Sequence, residues 1–212
     1  MSPSAEGAAL LAVLEEARAR GFLGPGPVDE HVRQAERFGS RIDELRARGA
    51  LFARAVDLGS GGGVPGLALA VADAELTWVL VEAGERRAAF LHEAVNTLGL
   101  ADRVSVRWGR AELLSRDAQL RHQIDLVVAR SFGPPAVTAE CATGFLRRDG
   151  YLLVSEPPHP EEKRRWPPEE LAELGLQPEG VVRGIQVLKQ TRPCPERFPR
   201  RVGIPAKRPL FH

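Results

Sequence analysis

The chain has 212 residues, of which 43% are hydrophobic, and a formal net charge of +1 at pH 7. This length suffices for one domain with a sizeable core, and the near-neutral charge excludes a chain-wide attraction to nucleic acid, so any such attraction must be local. Two cysteines, Cys141 and Cys194, exclude a disulfide scaffold and lack metal-ligand spacing, which favours a reducing compartment and no bound metal. Acidic residues near the N-terminus and the lack of a bilayer-length apolar run predict neither a signal peptide nor a transmembrane segment.

Two amphipathic helices are predicted at the start of the chain. They cover residues 8–20 and residues 28 or 29 to 48, and the glycine- and proline-rich stretch 21–27 separates them. A separate unit of this size would bury little apolar surface. We therefore expect residues 1–50 to form a small helical extension packed on a main domain of residues 51–212.

Strand and helix signals alternate through the rest of the chain. Apolar strands that alternate with helices are typical of a mostly parallel sheet with helices on both faces, which is an α/β fold. Two strand tryptophans, Trp78 and Trp108, are expected in the core. The predicted strands are 53–58, 76–81, 104–108, 124–129, 151–155 and 181–189. One predicted helix begins at residue 67, and the others cover 86–98, 135–146 and 169–174.

A glycine-rich turn joins the first strand to the next helix, within Val56–Leu67. Glycines permit the positive φ angles of a tight turn, and a helix N-terminus offers bare backbone N–H groups to a ligand. The G-x-G-x-x-G spacing from Gly61 fits a dinucleotide fingerprint. Asp57 followed by alternating glycines fits S-adenosylmethionine (SAM), because a carboxylate attracts the methionine amino group, directly or through water, and repels a pyrophosphate. Pro65 also removes an N–H that a pyrophosphate would use. A turn that only packs helix on strand is the remaining alternative.

The ends of the other strands supply candidate ligand contacts, because ligands bind at the carboxyl ends of strands near a switch in strand order. Glu82 ends the second strand, where an acid suits ribose hydroxyls, or else it only stabilises the following helix. Residues 109–112 form a short polar wall for an adenine, with Arg110 and Glu112 alternatively a solvated pair. Arg130 follows an apolar strand, where a half-buried guanidinium needs a partner.

The C-terminal segment, residues 192–212, carries six basic residues and one acidic residue among aromatic residues and prolines. The prolines favour an extended chain over a helix. A stiff basic strip of this kind suits a phosphate backbone with exposed bases, and a solvated tail is the alternative. The connection 157–168 carries Lys163, Arg164 and Arg165 and is expected near the substrate.

Several of these motifs occur together, in order, from about residue 53 to the end. They are Val56–Gly66, Val81–Ala83 with Phe90–Leu91, Gly109–Glu112, Ala129–Phe132 and Pro199–Leu210. In this combination the chain resembles the bacterial 16S ribosomal RNA guanine-N7 methyltransferases, the glucose-inhibited division protein B group. The resemblance implies a class I SAM-methyltransferase Rossmann-like fold, SAM as cofactor, and N7 of a guanine in the 530 loop as the target. The expected partner is 16S ribosomal RNA or the 30S subunit, and we expect a cytoplasmic monomer.

The resemblance also implies roles for particular residues. Arg130 and Arg200 are expected to be catalytic, by holding the target base. The expected RNA-binding residues are Arg197, Arg200, Arg201 and Lys207. The expected cofactor-binding residues are Asp57, Gly59, Ser60, Gly61, Gly63, Gly66, Glu82, Ala83, Ala111, Glu112 and Arg130.

Two departures from the family pattern are visible. The N-terminal helices lack the usual N-L-T segment, although His31 is present, and Ser155–Glu156 replaces the usual lysine after the fifth strand. The acid at Glu156 leaves open a small-molecule methyltransferase that retains the SAM site. The basic tail leaves open a non-catalytic RNA-binding factor, and a nicotinamide oxidoreductase is a more distant alternative.

Overall fold

A computed structural model describes residues 5–157 and 165–212. Within these residues, seven strands form one sheet in the order β3-β2-β1-β4-β5-β7-β6. The strands are β1 (Arg54–Leu58), β2 (Thr77–Glu82), β3 (Val104–Trp108), β4 (Ile124–Ala129), β5 (Leu146–Ser155), β6 (Leu176–Val182) and β7 (Ile185–Gln190). The helices are α1 (Ala5–Ala19), α2 (Val28–Ala47), α3 (Gly66–Ala72), α4 (Glu85–Thr97), α5 (Ala111–Leu114), α6 (Pro135–Thr143), α7 (Pro168–Glu173) and α8 (Ile204–Lys207).

The pairing of the strands confirms the predicted mostly parallel α/β sheet. Strands β1 to β5 pair in parallel, whereas β7 is antiparallel to both β5 and β6. The strand order reverses between β1 and β4, and a crevice is expected at their carboxyl ends.

Each face of the sheet is covered by its own hydrophobic core. Successive strand residues point to opposite faces, so Ala55 packs with helices α1 to α4, whereas Val56 packs with α6, α7 and the C-terminal segment. Every residue of β4 is buried, as its continuous apolar run predicts. Trp78 is 1% exposed and lies in the first of these cores, as expected.

Two expectations about the strands are wrong. The single strand expected at 181–189 is a hairpin of β6 and β7, because Arg183 and Gly184 adopt positive φ angles of 51° and 75° in a two-residue turn. Trp108 is 60% exposed rather than in the core. It ends the edge strand β3, and its indole N–H donates to the Ala83 carbonyl at 3.2 Å.

Two further boundaries differ from the sequence expectation. The helix expected to reach residue 146 ends at Thr143, and β5 begins at Leu146, five residues earlier than expected.

The proline-rich tail is not wholly extended, since α8 forms one helical turn around Pro205. A proline is tolerated there because the N–H groups in the first turn of a helix have no acceptor within the helix, so the missing N–H of proline costs no hydrogen bond.

The N-terminal helices pack on the sheet's helical layer. Helices α1 and α2 contact α3, and the Phe22 and Phe90 rings lie 5.6 Å apart in a tilted arrangement. Phe38 of α2 is fully buried in the same core as Trp78. No described helix is long and apolar enough to cross a membrane.

The burial of Phe38 predicts that the N-terminal helices unfold together with the sheet. Phe38→Ala leaves a cavity in the shared core, so it should lower the free energy of unfolding by about 3–5 kcal/mol in one cooperative urea transition. Glu36→Ala, at an exposed position of the same helix, should change it by less than about 0.5 kcal/mol. A separate early transition for α1 and α2 would contradict the shared core.

Candidate functional site

A cavity of about 580 Å³ opens at the carboxyl ends of β1, β2, β3 and β4. The glycine loop supplies residues 59–62, and the ends of β2, β3 and β4 supply Glu82–Ala83, Gly109–Glu112 and Arg130–Pro134. One wall comes from residues 22–24, between α1 and α2. The structure thus brings together four loops that are distant in sequence, as the strand-end argument predicted.

Backbone hydrogen bonds fix the glycine loop against β2. The amides of Gly59 and Ser60 both donate to the Val81 carbonyl, at 2.9 and 3.0 Å. The loop also lies so close to the N-terminal wall that a Cβ at Gly62 would sit 2.8 Å from the Leu23 side chain. A side chain at Gly62 would therefore force Leu23 to move, through a contact between segments 39 residues apart that loop chemistry alone does not suggest.

Asp57 lies beneath this loop and does not line the cavity. Its side chain is buried, and Oδ2 accepts the Gly66 amide at 3.0 Å. The Leu67 amide donates to the Gly63 carbonyl at 2.7 Å. The expectation of bare amides at the start of α3 is therefore wrong, because Asp57 and Gly63 already bind them. Neither Gly63 nor Gly66 lines the cavity.

The other oxygen of Asp57, Oδ1, is buried with no hydrogen-bond partner among the described residues. Burial raises the pKa of Asp57 to about 7, although Ser60, Gly66 and the Arg130 charge act in the opposite direction. Glu82 adds to the increase. A cation placed near this carboxyl group would be attracted to its ionised form.

Glu82 lines the cavity and organises two segments. Its Oε2 accepts the Gly61 amide at 2.9 Å, and its Oε1 accepts the Gly84 amide and the Arg87 guanidinium, each at 2.7 Å. Burial raises the pKa of Glu82, but the bonds from Arg87, Gly84 and Gly61 outweigh it and hold this pKa below its ordinary value. Glu82 therefore stays ionised, positions the glycine loop and binds the start of α4.

Glu112 connects the wall after β3 to the C-terminal segment. Its Oε1 accepts the Gly203 amide at 3.0 Å and lies 3.2 Å from Arg110. Burial raises the pKa of Glu112, but the hydrogen bonds from the Gly203 amide and Arg110 outweigh burial, so this pKa lies below its ordinary value. Ala111 and Ala206 line the same cavity, so the tail forms part of its wall. Sequence reasoning missed Ala206, because only the fold shows the tail returning to this edge.

Arg130 is held by helix α2. Its Nη1 donates to Gln34 Oε1 at 2.5 Å and lies 3.0 Å from His31 Nδ1, while His31 Nε2 lies 3.2 Å from the Gly24 carbonyl. A carbonyl only accepts, so Nε2 carries the proton and Nδ1 accepts from Arg130. Burial lowers the pKa of Arg130, and Asp57 opposes this decrease. The predicted need for a partner is met by α2.

A second cleft, of about 850 Å³, adjoins the first cavity. The two share Arg130–Gly133, and the cleft continues along the ends of β5 and β7. Its charged lining residues are Arg37, Arg130, Glu156 and Arg165. Of the connection expected near the substrate, Arg165 lies in this cleft, whereas Lys163 and Arg164 lie outside the described residues.

Arg200 does not line either cavity. Its backbone amide and its guanidinium both bind the Glu140 carboxylate, with contacts of 2.6–2.9 Å, and the Glu140 side chain is fully buried. The Arg116 and Arg121 side chains donate to the Pro199 and Phe198 carbonyls, at 2.6 and 3.1 Å. Arg200 is thus part of a buried anchor for the tail, and contact with the target base, as expected from the resemblance, would require breaking this ion pair.

The other predicted RNA-binding residues are exposed. Arg201 and Lys207 point to solvent around α8, and Arg197 stacks on the Phe198 ring at 4.8 Å. Arg197 also lies 3.7 Å from Glu173. These residues remain accessible to a polyanion next to the cavity wall that the tail forms.

Known proteins resemble this chain in sequence. A family model described as rRNA small subunit methyltransferase G matches residues 42–186. The chain belongs to this family. It is 37% identical over 166 residues to the ribosomal RNA small subunit methyltransferase G of Parasynechococcus marenigrum (strain WH8102), covering 74% of this chain and 67% of the relative. It is 33% identical to the corresponding protein of Deinococcus deserti, covering 96% and 87%.

Solved structures agree on the fold. The chain superposes on cofactor-bound Rv0187 from MTB with a TM-score of 0.56 at 16% identity, covering 91% of this chain and 100% of the other. An O-methyltransferase family protein from Burkholderia thailandensis gives a TM-score of 0.52 at 14% identity, covering 79% and 59%. The class I methyltransferase fold is confirmed.

A member of this family is a methyltransferase that uses SAM, and the cavity suits that cofactor. The loop 59–62 offers a narrow, glycine-lined floor beside the ionised Glu82. The Asp57 carboxyl group lies beneath the floor, where its ionised form would attract the methionine amino group. In SAM binding, residues 59–62 and Glu82 would hold the nucleoside, and Ala83, Ala111 and Glu112 would contact the adenine.

The raised pKa of Asp57 predicts a specific pH dependence of stability. The native state keeps a proton on Asp57 that the unfolded chain loses, so the contribution of Asp57 to stability should fall as pH rises from about 4 to about 7, by up to about 1.4 kcal/mol per pH unit. Asp57→Asn should remove this slope, whereas Asn at the exposed Asp43 should keep it. Urea unfolding of the cofactor-free proteins at each pH measures it, and parallel curves for wild type and Asp57→Asn would contradict the assignment.

The anchor at Glu140 predicts a structural cost for Arg200→Ala. Removing the guanidinium leaves a buried carboxylate with the backbone amide of residue 200 but without its charged partner, so the free energy of unfolding should fall by about 3 kcal/mol. Arg201→Ala, one residue along at an exposed position, should change it by less than about 0.5 kcal/mol. Denaturant unfolding compares the two, and equal stabilities would show that the ion pair is not an anchor.

Proposed function

We propose that this methyltransferase transfers the SAM methyl group to N7 of a guanine in the 530 loop of 16S ribosomal RNA. The observation that carries the proposal is the meeting of two cavities at Arg130. One is a glycine-lined cofactor site, and the other is a cleft lined by Arg37, Arg130 and Arg165 that is large enough for a base. Family membership and the resemblance to guanine-N7 methyltransferases supply the choice of acceptor.

The reaction asks little acid–base chemistry of the chain. Bound SAM supplies an electrophilic methyl group, and guanine N7 carries a lone pair and no proton. No residue has to act as a general base, and alignment of the two reactants does most of the work. Arg130 lies at the junction, where its guanidinium can donate to guanine O6, and α2 holds it in place through His31 and Gln34.

The charges around the cleft support RNA as the substrate. Glu156, the acid that favoured a small-molecule substrate, accepts from Arg165 at 2.7 Å, so it presents no free negative charge. Arg37 and Arg130 lie in the same cleft, and Arg201 and Lys207 lie exposed on the tail. A phosphate backbone would be attracted to such a surface, with affinity falling steeply as salt increases.

We further propose that the chain acts as a monomer on the 30S subunit or on 16S ribosomal RNA, in the cytoplasm where this RNA is assembled. Residues 1–50 would serve as a helical extension of the methyltransferase domain at 51–212, since α2 holds Arg130 and residues 22–24 form one wall of the cofactor cavity.

Purified protein incubated with methyl-labelled SAM and either 30S subunits or naked 16S RNA tests the proposal. Label should enter the RNA and be recovered as N7-methylguanine in the 530 loop. Absence of label at every assembly stage would overturn it. Methyl transfer to a metabolite, with no salt-dependent RNA binding, would favour the small-molecule alternative instead.

Arg130 should be required for this transfer. Arg130→Ala removes a charged, forked donor from the acceptor, so kcat/KM for RNA should fall by about 10–100-fold. Arg18→Ala, at an exposed site on α1, should match wild type. Calorimetric titration with SAM separates loss of acceptor alignment from loss of cofactor binding. A folded Arg130→Ala protein with wild-type kcat/KM would exclude the role.

A further inference from the structure

Glu156 is buried in the cleft where the acceptor base is proposed to enter. It follows the end of β5, and its side chain is 2% exposed. Oε2 accepts from Arg165 Nε at 2.7 Å, and Oε1 accepts from the Trp166 indole N–H at 2.8 Å. Among the described residues that line this cleft, Glu156 is the one carboxylate, and it does not line the cofactor cavity.

The two partners of Glu156 differ in how firmly they are held. The Trp166 residue is 7% exposed and packs in the core beneath the sheet, whereas the Arg165 side chain is 35% exposed. Trp166 therefore fixes the carboxylate, and Arg165 is the partner whose head group can move out to solvent. The buried carboxylate is stable only while a donor faces it, so Arg165 can leave when another donor takes its place.

The chemistry of guanine matches this arrangement. Its O6 and N7 are adjacent acceptors, and its opposite edge presents the N1–H and N2–H donors. N1 and N2 are both bonded to C2, so their N–H groups are arranged like two N–H groups of a guanidinium. Arg130 lies at the cofactor side of the cleft and Glu156 lies beyond it, so the cleft offers a donor for one guanine edge and a carboxylate for the other. Adenine presents an acceptor at N1, which a carboxylate repels.

We infer that Glu156 reads the N1–H and N2–H edge of the target guanine, whose base takes the place of the Arg165 guanidinium. Glu156 is then a specificity-determining residue, and Arg165 satisfies the buried carboxylate when no base is bound. This inference rests on the proposed function, because it concerns the acceptor of the same reaction.

An RNA substrate whose target base lacks one functional group of guanine tests the inference. Inosine at the target position keeps O6 and N7 but lacks the N2 amino group. With synthetic 530-loop RNA reconstituted into 30S particles, wild type should show a kcat/KM for guanine about 10-fold or more above that for inosine. Glu156→Gln should reduce this ratio to about 3-fold or less, and Glu156→Asp, which keeps the charge, should partly restore it. SAM affinity, measured by calorimetry, should stay within about 2-fold of wild type in both variants.

Arg165→Gln provides a second test that leaves the carboxylate in place. Without the competing guanidinium, the KM for guanine-containing RNA should fall several-fold while the guanine preference persists. Should Glu156→Gln fail to fold, this variant decides, and an unchanged or raised KM would overturn the replacement of Arg165 by the base. A folded Glu156→Gln enzyme with the wild-type ratio would overturn the inference alone. A wild-type protein that methylates no RNA would overturn the proposed function and this inference with it.

Discussion

The site depends on one half-buried cation. Arg130 follows a fully buried strand, and a guanidinium there is unstable unless neighbouring groups receive its hydrogen bonds. Gln34 and His31 meet that need from helix α2, almost a hundred residues earlier, and Asp57 supplies the nearby negative charge. His31 also reaches the Gly24 carbonyl, so the same contact sets the wall of the cofactor cavity. The helical extension is thereby tied to both cavities.

Buried carboxylates join the other segments of the site in the same way. Glu82 binds amides of the glycine loop and of the start of α4, Glu112 binds the Gly203 amide, and Glu140 binds both the backbone and the side chain of Arg200. Each carboxylate satisfies donors from a distant segment, which a buried charge requires to be stable. The loops around the cavity therefore hold one another in position.

The features of the site that depend on short sequence patterns were predictable from the sequence, and the contacts between distant segments were not. Apolar strands, the glycine loop and the acid that ends β2 are short patterns, so the sheet was predicted correctly, and Gly59, Ser60, Gly61, Glu82 and Ala111 line the cavity as expected. Gly62 lines it without having been predicted. Asp57 was recognised as important, but its bond to Gly66 beneath the loop depends on packing depth, which spacing does not encode. The return of Ala206 to the cavity and the pairing of Arg200 with Glu140 depend on tertiary contacts. A basic strip in the sequence does not distinguish exposed arginines from those that anchor it.

The acid at Glu156 illustrates the same limit at a single position. Read alone, a glutamate where the sequence resemblance implies a lysine reverses the local charge and argues against a polyanionic substrate. In the fold, Arg165 lies on that carboxylate, so the pair is neutral, and the other charged residues among the described lining of the cleft, Arg37 and Arg130, are positive. The field that a phosphate meets is set by groups of side chains rather than by one residue. A neutral pair also differs from a lone lysine in one respect that matters for recognition. It can exchange one donor for another, whereas an ammonium group offers only donors and has nothing to give to the N1–H edge of a guanine.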